Sequence, residues 1–261
     1  MTNTINVFKN KSKYSASVYR KIRTILEKNG YIINTQYKSD AILNLVIGGD
    51  GTFLHAVHKS KNFDIPFVGI NTGHLGFYQE INPDNVEDFV KRFVNKDYNI
   101  ENLSLLETKF RNRSFLSLNE TVVKSSKNQI LRLKVFIDGN FLENFSGDGL
   151  IVSTPHGSTA YSLSCGGAIL YQSLEGFQLT PIAPVSSSTY RSLKNSIVCP
   201  KGSKIDIVVS KRDNKHMVYI FDGKDFFTKE YKISIEMSSE KVKKIVLDKN
   251  HYWFNIKDKF L

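Results

Sequence analysis

The sequence predicts an α/β N-terminal domain with a parallel sheet, followed by a β-rich, sandwich-like C-terminal domain. Strand-sized apolar runs alternate with amphipathic helical stretches up to about residue 100, the pattern of parallel strands joined by crossover helices. Beyond that point β-branched and aromatic runs take over, separated by Asp-Gly turns.

Ser15–Asn29 carries Val18, Ile22, Ile25 and Leu26 on one helical face and stops at Gly30. Tyr31–Ile33 and Ala41–Ile47 read as buried strands, Thr52–Lys59 as a short helix, and Ile65–Ile70 as a further strand. Asn82-Pro83-Asp84 has the form of an N-cap with proline at the first helical position. Val86, Phe89, Val90 and Phe93 then supply an apolar stripe. After Ile100, Phe115–Val123, Ile130–Ile137 and Phe141–Phe145 read as strands, with Asp138-Gly139 closing the last two as a hairpin. Lys204–Ser210, Met217–Phe221 and Asp225–Thr228 continue the pattern around a second turn at Asp222-Gly223. The domains expected are residues 1–100 and 101–239.

At 261 residues the chain needs no disulfide or metal staple to bury a core. Apolar residues make up 41% and charged residues 23%, which excludes a disordered chain or a fibre. No apolar run approaches the roughly 18–20 residues that span a bilayer. The first residues lack the apolar segment and cleavage site of a secretory signal. Cys165 and Cys199 form no CxxC pair. A soluble cytoplasmic protein is expected. The net charge of +11 suggests an anionic partner, although lysines that merely solvate the surface would give the same total.

Gly48-Gly49-Asp50-Gly51-Thr52 joins the strand Ala41–Ile47 to the helix that follows. Glycines there let the backbone approach a ligand, and the N–H groups of a helix start face anions. A loop at the carboxyl end of a parallel strand is where α/β proteins bind nucleotides. It matches neither GxGxxG nor GxxxxGK[ST], and it holds a carboxylate where a phosphate cradle would ordinarily avoid one. Asp50 then has a chemical task, such as orienting a hydroxyl, accepting its proton or holding Mg²⁺; the alternative is a turn residue that caps the helix. A second glycine-rich loop, Asn71–Tyr78, also leaves a strand's carboxyl end and could face Asp50.

The block Gly147–Tyr161, followed by Cys165-Gly166-Gly167, carries a strand into a loop rich in hydroxyls and glycines. Its hydroxyls and free amides suit phosphate, ribose or adenine, with Ala160 low and Tyr161 offering a flat ring. It contains no GxSxG elbow. Asn119-Glu120, read at the end of a strand, suits adenine edges and ribose hydroxyls. His55 and His58 have no evident third ligand for a metal. Asp138 and Asp222 read as turn residues, and His156 as a loop residue open to phosphate or solvent.

Taken together, Gly48–Thr52, Asn71–Tyr78, Asn119–Val123 and Gly147–Tyr161 resemble the NAD kinases, in particular the compact bacterial forms. The glycine–aspartate loop alone is shared with lipid kinases and phosphofructokinases; the Ser-Thr-Pro-x-Gly-Ser-Thr-Ala-Tyr pattern is the more specific part. The resemblance implies transfer of the ATP γ-phosphoryl group to the 2′-hydroxyl of the adenosine ribose of NAD, with Mg²⁺ as the metal. Asp50 is then the catalytic carboxylate, with Gly48, Gly49, Gly51 and Thr52 around the nucleotide. Phe77, Asn119, Glu120, Ser158, Thr159, Ala160, Tyr161, Ser162, Leu163, Ser164 and Ala183 are implied as further substrate- or nucleotide-binding positions. Asp148 is implied to reach the nicotinamide side from a neighbouring subunit of a homotetramer. The family fold also implies that the last segment, about 240–261, rejoins the first domain. Two departures stand out: relatives often have a basic residue at the position of Ser146, and Thr or Ser at that of His156.

Other readings make different demands. A lipid kinase needs an apolar acceptor surface, and no basic amphipathic helix with exposed Trp or Phe is evident. A nucleic-acid-binding protein would explain the charge, but no RRM, KH, helix-turn-helix or zinc-finger signature is present. Neither nucleic acid nor a membrane is therefore expected as a partner. A non-catalytic dinucleotide sensor would not need Asp50.

Overall fold

The computed structural model describes residues 3–73, 76–187, 191–248 and 251–261. The chain forms two compact units, Met1–Asn102 with Val242–Leu261, and Leu103–Lys241.

The first unit opens with a strand that the sequence reading passed over, β1 (Thr4–Lys9). Helix α1 (Lys13–Lys28) is capped by Ser12, whose hydroxyl accepts the Ser15 N–H, and it buries Val18, Ile22 and Leu26. Strands β2 (Ile32–Asn34) and β3 (Leu43–Gly48) precede helix α2 (Asp50–Lys59) and strand β4 (Phe67–Asn71). Asn82 caps as expected, accepting the Asp84 N–H, but Pro83–Asn85 forms a 3₁₀ turn and helix α3 (Val86–Val94) starts after it. The strands pair in parallel in the order β2-β1-β3-β4. Their buried aliphatic side chains, including Ile5, Leu43, Leu45, Ile47, Val68 and Ile70, pack with α1 and α3 in one core. Every residue of β3 is buried, so the turn after it is delivered from the middle of the sheet.

The second unit is a β-sandwich. Its strands are β5 (Asn99–Lys109), β6 (Ser114–Ser117), β7 (Glu120–Ser125), β8 (Leu131–Ile137), β9 (Asn140–Gly147) and β10 (Gly149–Ser153). After the short helix α4 (Tyr161–Ser164) come β11 (Gly176–Ile182), β12 (Ile197–Pro200), β13 (Lys204–Val209), β14 (Met217–Phe221), β15 (Lys224–Phe226) and β16 (Lys232–Val246). One antiparallel sheet runs β12-β11-β10-β7-β14-β15; in the other, β16, β13, β8 and β9 are successive neighbours, and β5 pairs with β16 and β6. Leu133, Val135, Ile205, Ile207, Ile233 and Ile235 of one sheet meet Val123, Leu150, Val152, Phe177, Tyr219 and Phe221 of the other in a single core.

The run Phe115–Val123 is not one strand. It divides into β6 and β7, which belong to different sheets, and Leu118–Asn119 forms the break. Asn119-Glu120 therefore stands at the start of a strand rather than at its end.

The far end of β16 returns to the first unit, where Lys244 pairs in parallel opposite Phe67. The chain finishes in α5 (His251–Phe260). Among the described residues no helix is long and apolar enough to cross a membrane.

Candidate functional site

Two groups of residues, one in each unit, gather the positions singled out in the sequence. The first is built on the strand-to-helix turn after β3. Gly49 is the N-cap of α2 and Asp50 its first helical residue, with no side-chain cap bond. The Asp50 carboxylate is thus not spent on capping its own helix. It accepts the Phe77 N–H at 3.1 Å and the Tyr78 N–H at 3.2 Å. Asn71–Tyr78 accordingly meets Asp50; His74 and Leu75 of that motif lie outside the described residues.

Gly76 makes this approach possible. A Cβ there would fall 2.4 Å from Asp50 Oδ1 and 2.3 Å from Gln79 Oε1. Gly49 and Gly51 differ, since a Cβ at either would meet nothing within 4 Å. Their surroundings are open, and the first N–H groups of a helix have no partner within it. The Thr52 and Phe53 N–H groups donate to the Gly49 carbonyl, and an anion laid over the start of the turn would meet the positive end of the helix dipole.

Phe77 is buried. Its ring stacks on that of Phe260, with centroids 5.9 Å apart, and lies under the Lys259 ammonium at 4.1 Å. What Phe77 extends toward Asp50 is its main-chain N–H. Lys259 also approaches Asp50 Oδ2 at 3.7 Å, so the last turn of α5 contributes a cation that the motifs did not single out. Nothing in the local sequence marks it, because α5 lies some 200 residues downstream of the glycine loop.

The second group centres on the break between β6 and β7. Thr154 ties the two loops together: its N–H donates to the Asn119 carbonyl at 2.9 Å, and its hydroxyl donates to that of Leu118 at 2.6 Å. The same hydroxyl accepts the Gly157 N–H at 3.0 Å. Gly157 presses so closely on this segment that a Cβ would come within 2.0 Å of the Asn119 carbonyl oxygen. From there the chain makes a 3₁₀ turn (Gly157–Thr159) before α4, where a helix near Thr159 was expected.

The hydroxyls of this loop divide into two kinds. Ser158 and Ser162, read from the sequence among the nucleotide-binding residues, are fully buried. The Ser158 hydroxyl donates to the Pro155 carbonyl and accepts the Leu170 N–H, while that of Ser162 bonds to Thr180. These two shape the loop from inside. Thr159, Ala160 and Leu163 are partly exposed, and Tyr161 and Ser164 are exposed, so they form the outward face. Asp148, in the turn between β9 and β10, and Ala183 are exposed. His156 and Ser146 are buried, which removes the solvent-exposed reading of His156.

Asn119 and Glu120 are both buried. Three consecutive N–H groups, of Leu118, Asn119 and Glu120, donate to the carboxylate of Asp222 at 2.7, 2.7 and 3.1 Å. Glu120 Oε2 has no hydrogen-bond partner among the described residues. Burial, reinforced by the nearby charge of Asp222, pushes the Glu120 carboxyl up to about 8. At neutral pH Glu120 is therefore a neutral acid, able to donate as well as accept. Among the described residues no three His, Cys, Asp or Glu side chains are grouped to hold a metal ion, His55 and His58 included.

This combination of loops matches known sequences along nearly the whole chain. The family model of the ATP-NAD kinase N-terminal domain covers residues 3–98, and that of the ATP-NAD kinase C-terminal domain covers residues 118–247. The chain belongs to the NAD kinase family. An NAD kinase of Finegoldia magna is 46% identical across 98% of this chain and 97% of its own length. One from Streptococcus pneumoniae (strain Hungary19A-6) is 32% identical across 98% and 96%. Among solved structures, an NAD kinase from Archaeoglobus fulgidus in complex with ATP superposes with a TM-score of 0.81 at 26% identity, covering 98% of both chains. Yeast NADH kinase complexed with NADH gives 0.86 at 20% identity, covering 99% of this chain and 87% of its own, a likeness of fold. The α/β unit followed by an antiparallel β-sandwich is thus the NAD kinase architecture.

The Glu120 environment has a measurable consequence. An unfolded glutamate ionises near 4.5, whereas the folded one holds its proton up to about 8. Its contribution is fully favourable below the unfolded value and is lost as pH rises through the folded one. Glu120→Gln is expected to gain thermal stability over the wild type progressively between pH 5 and pH 8, with the difference levelling off above that. Melting temperatures of both proteins across this range check it; a difference independent of pH would contradict it.

Proposed function

We propose that this protein is an ATP-dependent NAD kinase, transferring the γ-phosphoryl group of ATP to the 2′-hydroxyl of the adenosine ribose of NAD, with Asp50 as the general base. The observation that carries the reading is the Asp50 carboxylate, held by two main-chain N–H groups beside an open glycine turn. The NAD kinase names of the relatives and the ATP and NADH complexes of the structural neighbours support the two substrates.

The chemistry follows from what each group can do. A ribose hydroxyl is a weak nucleophile, and a carboxylate within hydrogen-bond reach orients it and takes its proton as the new bond forms. The 2′-oxygen bonds to the γ-phosphorus, the bond from that phosphorus to the ADP oxygen breaks, and the proton leaves on Asp50 for solvent. The N–H groups of Phe77 and Tyr78 fix the direction of the carboxylate while leaving it acceptor sites for the hydroxyl. The open turn at Gly49–Gly51 offers main-chain donors to phosphate oxygens, the positioning and charge stabilisation on which phosphoryl transfer depends. Mg²⁺ would be held mainly by ATP phosphates and water, as is usual for that ion, with Asp50 as the carboxylate that the loop would place beside it. Bound there, it would neutralise charge on the transferring group.

On this reading the outward face Thr159–Tyr161 with Ser164 receives the dinucleotide, and buried Asn119 and Glu120 present paired donor and acceptor groups to its base or ribose. Ser158 and Ser162 act at one remove, by holding the loop in shape. Exposed Asp148 is available to a neighbouring subunit's dinucleotide in a homotetramer, and exposed Ala183 is a further dinucleotide-binding position.

Asp50→Asn is expected to retain dinucleotide binding and lose turnover by at least about 10²-fold, the usual scale of general-base help. NADP formation from NAD and ATP–Mg²⁺ measures it, and near-wild-type turnover would remove Asp50 from that role. Gly76→Ala tests the placement of the same carboxylate. Its methyl group would displace Asp50, and a displacement on the order of 1 Å is expected to lower kcat by about 10²-fold. An unchanged kcat in the folded variant would show that the placement is not critical.

A further inference from the structure

We propose that Asp222 is a positioning residue of the dinucleotide site, setting the direction of Asn119 and Glu120 through the main-chain N–H groups of Leu118–Glu120. The inference rests on the reading of Asn119 and Glu120 as dinucleotide contacts.

Asp222 and Gly223 form the two-residue turn between β14 and β15, with φ of +47° and +79°. Such turns demand left-handed backbone at both positions and accept Asn, Asp or Gly at the first. Turn chemistry alone therefore does not require a carboxylate. The chain contains its own control, because Asp138-Gly139 makes the same kind of turn between β8 and β9, with φ of +52° and +78°. Asp138 accepts the Lys204 N–H at 2.7 Å and the Ser203 hydroxyl at 3.1 Å, both local to its own end of the sheet.

Both carboxylates reach the start of a neighbouring strand, and Asp222 differs in its burial and in the number of main-chain donors it gathers. It is buried, and it reaches three successive N–H groups 102 to 104 positions earlier in the chain. The Asp222 N–H in turn donates to the Glu120 carbonyl at 3.2 Å. Leu118 and Asn119 form the break at which the chain leaves one sheet for the other, and Glu120 opens β7, so these donors take a partner from beyond the break. A buried donor left unpaired destabilises the fold. Glycine would satisfy the turn and abandon all three donors. Asparagine would supply one oxygen and turn its own N–H groups toward donors. Aspartate alone meets both the turn and the three-way bond. Its carboxylate thereby fixes the backbone from which both substrate-facing side chains project.

The test compares Asp222→Asn with Asp138→Asn and Asn119→Ala in the full-length enzyme, measuring KM for NAD and for ATP separately, with urea denaturation to establish folding. Asp222→Asn is expected to raise KM for NAD by at least about tenfold and to leave KM for ATP within about twofold. Asp138→Asn is expected to leave both unchanged, and Asn119→Ala to raise KM for NAD. If the Asn variant at position 222 does not fold, Asp222→Glu carries the test, since it keeps the charge but moves it by one methylene; the same selective rise is expected. An unchanged KM for NAD in the folded 222 variant, with Asn119→Ala impaired, overturns the role of Asp222 alone. Equal rises in both KM values overturn it as well, because they mark general damage. If neither Asn119→Ala nor Asp222→Asn changes KM for NAD, the dinucleotide reading of Asn119 falls and the inference with it.

Discussion

Carboxylates gripped by main-chain N–H groups organise the chemically distinctive loops of each unit. Asp50 accepts from Phe77 and Tyr78, and Asp222 from Leu118, Asn119 and Glu120. Such bonds are charge-assisted and stronger than neutral ones of the same geometry. Each uses one short side chain against main chain, so less side-chain freedom is lost than when two long side chains must be pinned together. In the proposed mechanism the first of these carboxylates is itself the reactive group, and in the further inference the second is an anchor for its neighbours.

Close approach of backbone to side chain is the accompanying requirement. Gly76 admits the Asp50 carboxylate, and Gly157 admits the Asn119 carbonyl, at distances that no Cβ would tolerate. Hydroxyls then complete the frame from within: Ser158 and Ser162 satisfy carbonyls, amides and other hydroxyls that the irregular loop would otherwise bury unpaired. A segment that looks from its composition like a row of ligand-binding hydroxyls is thus partly scaffold. Thr159, Ala160, Tyr161 and Ser164 form the face it supports.

The sequence disclosed the features whose signal is local. The strand, the glycine turn and the helix around Asp50 are contiguous, so their order alone pointed to a nucleotide loop, although not to Gly49 as the cap. Asp222 was opaque for the opposite reason: its letters are those of Asp138-Gly139, and only the fold shows one carboxylate taking a single main-chain N–H at the start of β13 and the other taking three at Leu118–Glu120. The apolar run Phe115–Val123 concealed its break because nothing in its composition reveals that three N–H groups leave the ladder. Lys259 and the burial of His156 depend likewise on tertiary packing and have no signature in the neighbouring residues. β1 escaped notice because six residues with a single alternating apolar pair give a weak strand pattern.

The family to which the chain belongs and the geometry around Asp50 converge on one reaction, phosphorylation of a dinucleotide hydroxyl. The most direct measurement is the product itself: the wild-type protein incubated with NAD, ATP and Mg²⁺, with ³¹P NMR and mass analysis of the dinucleotide. The account predicts one new phosphate monoester on the 2′-oxygen of the adenosine ribose, formed in equal amount with ADP. ADP released without a phosphorylated dinucleotide, or a phosphate at another position, would contradict it.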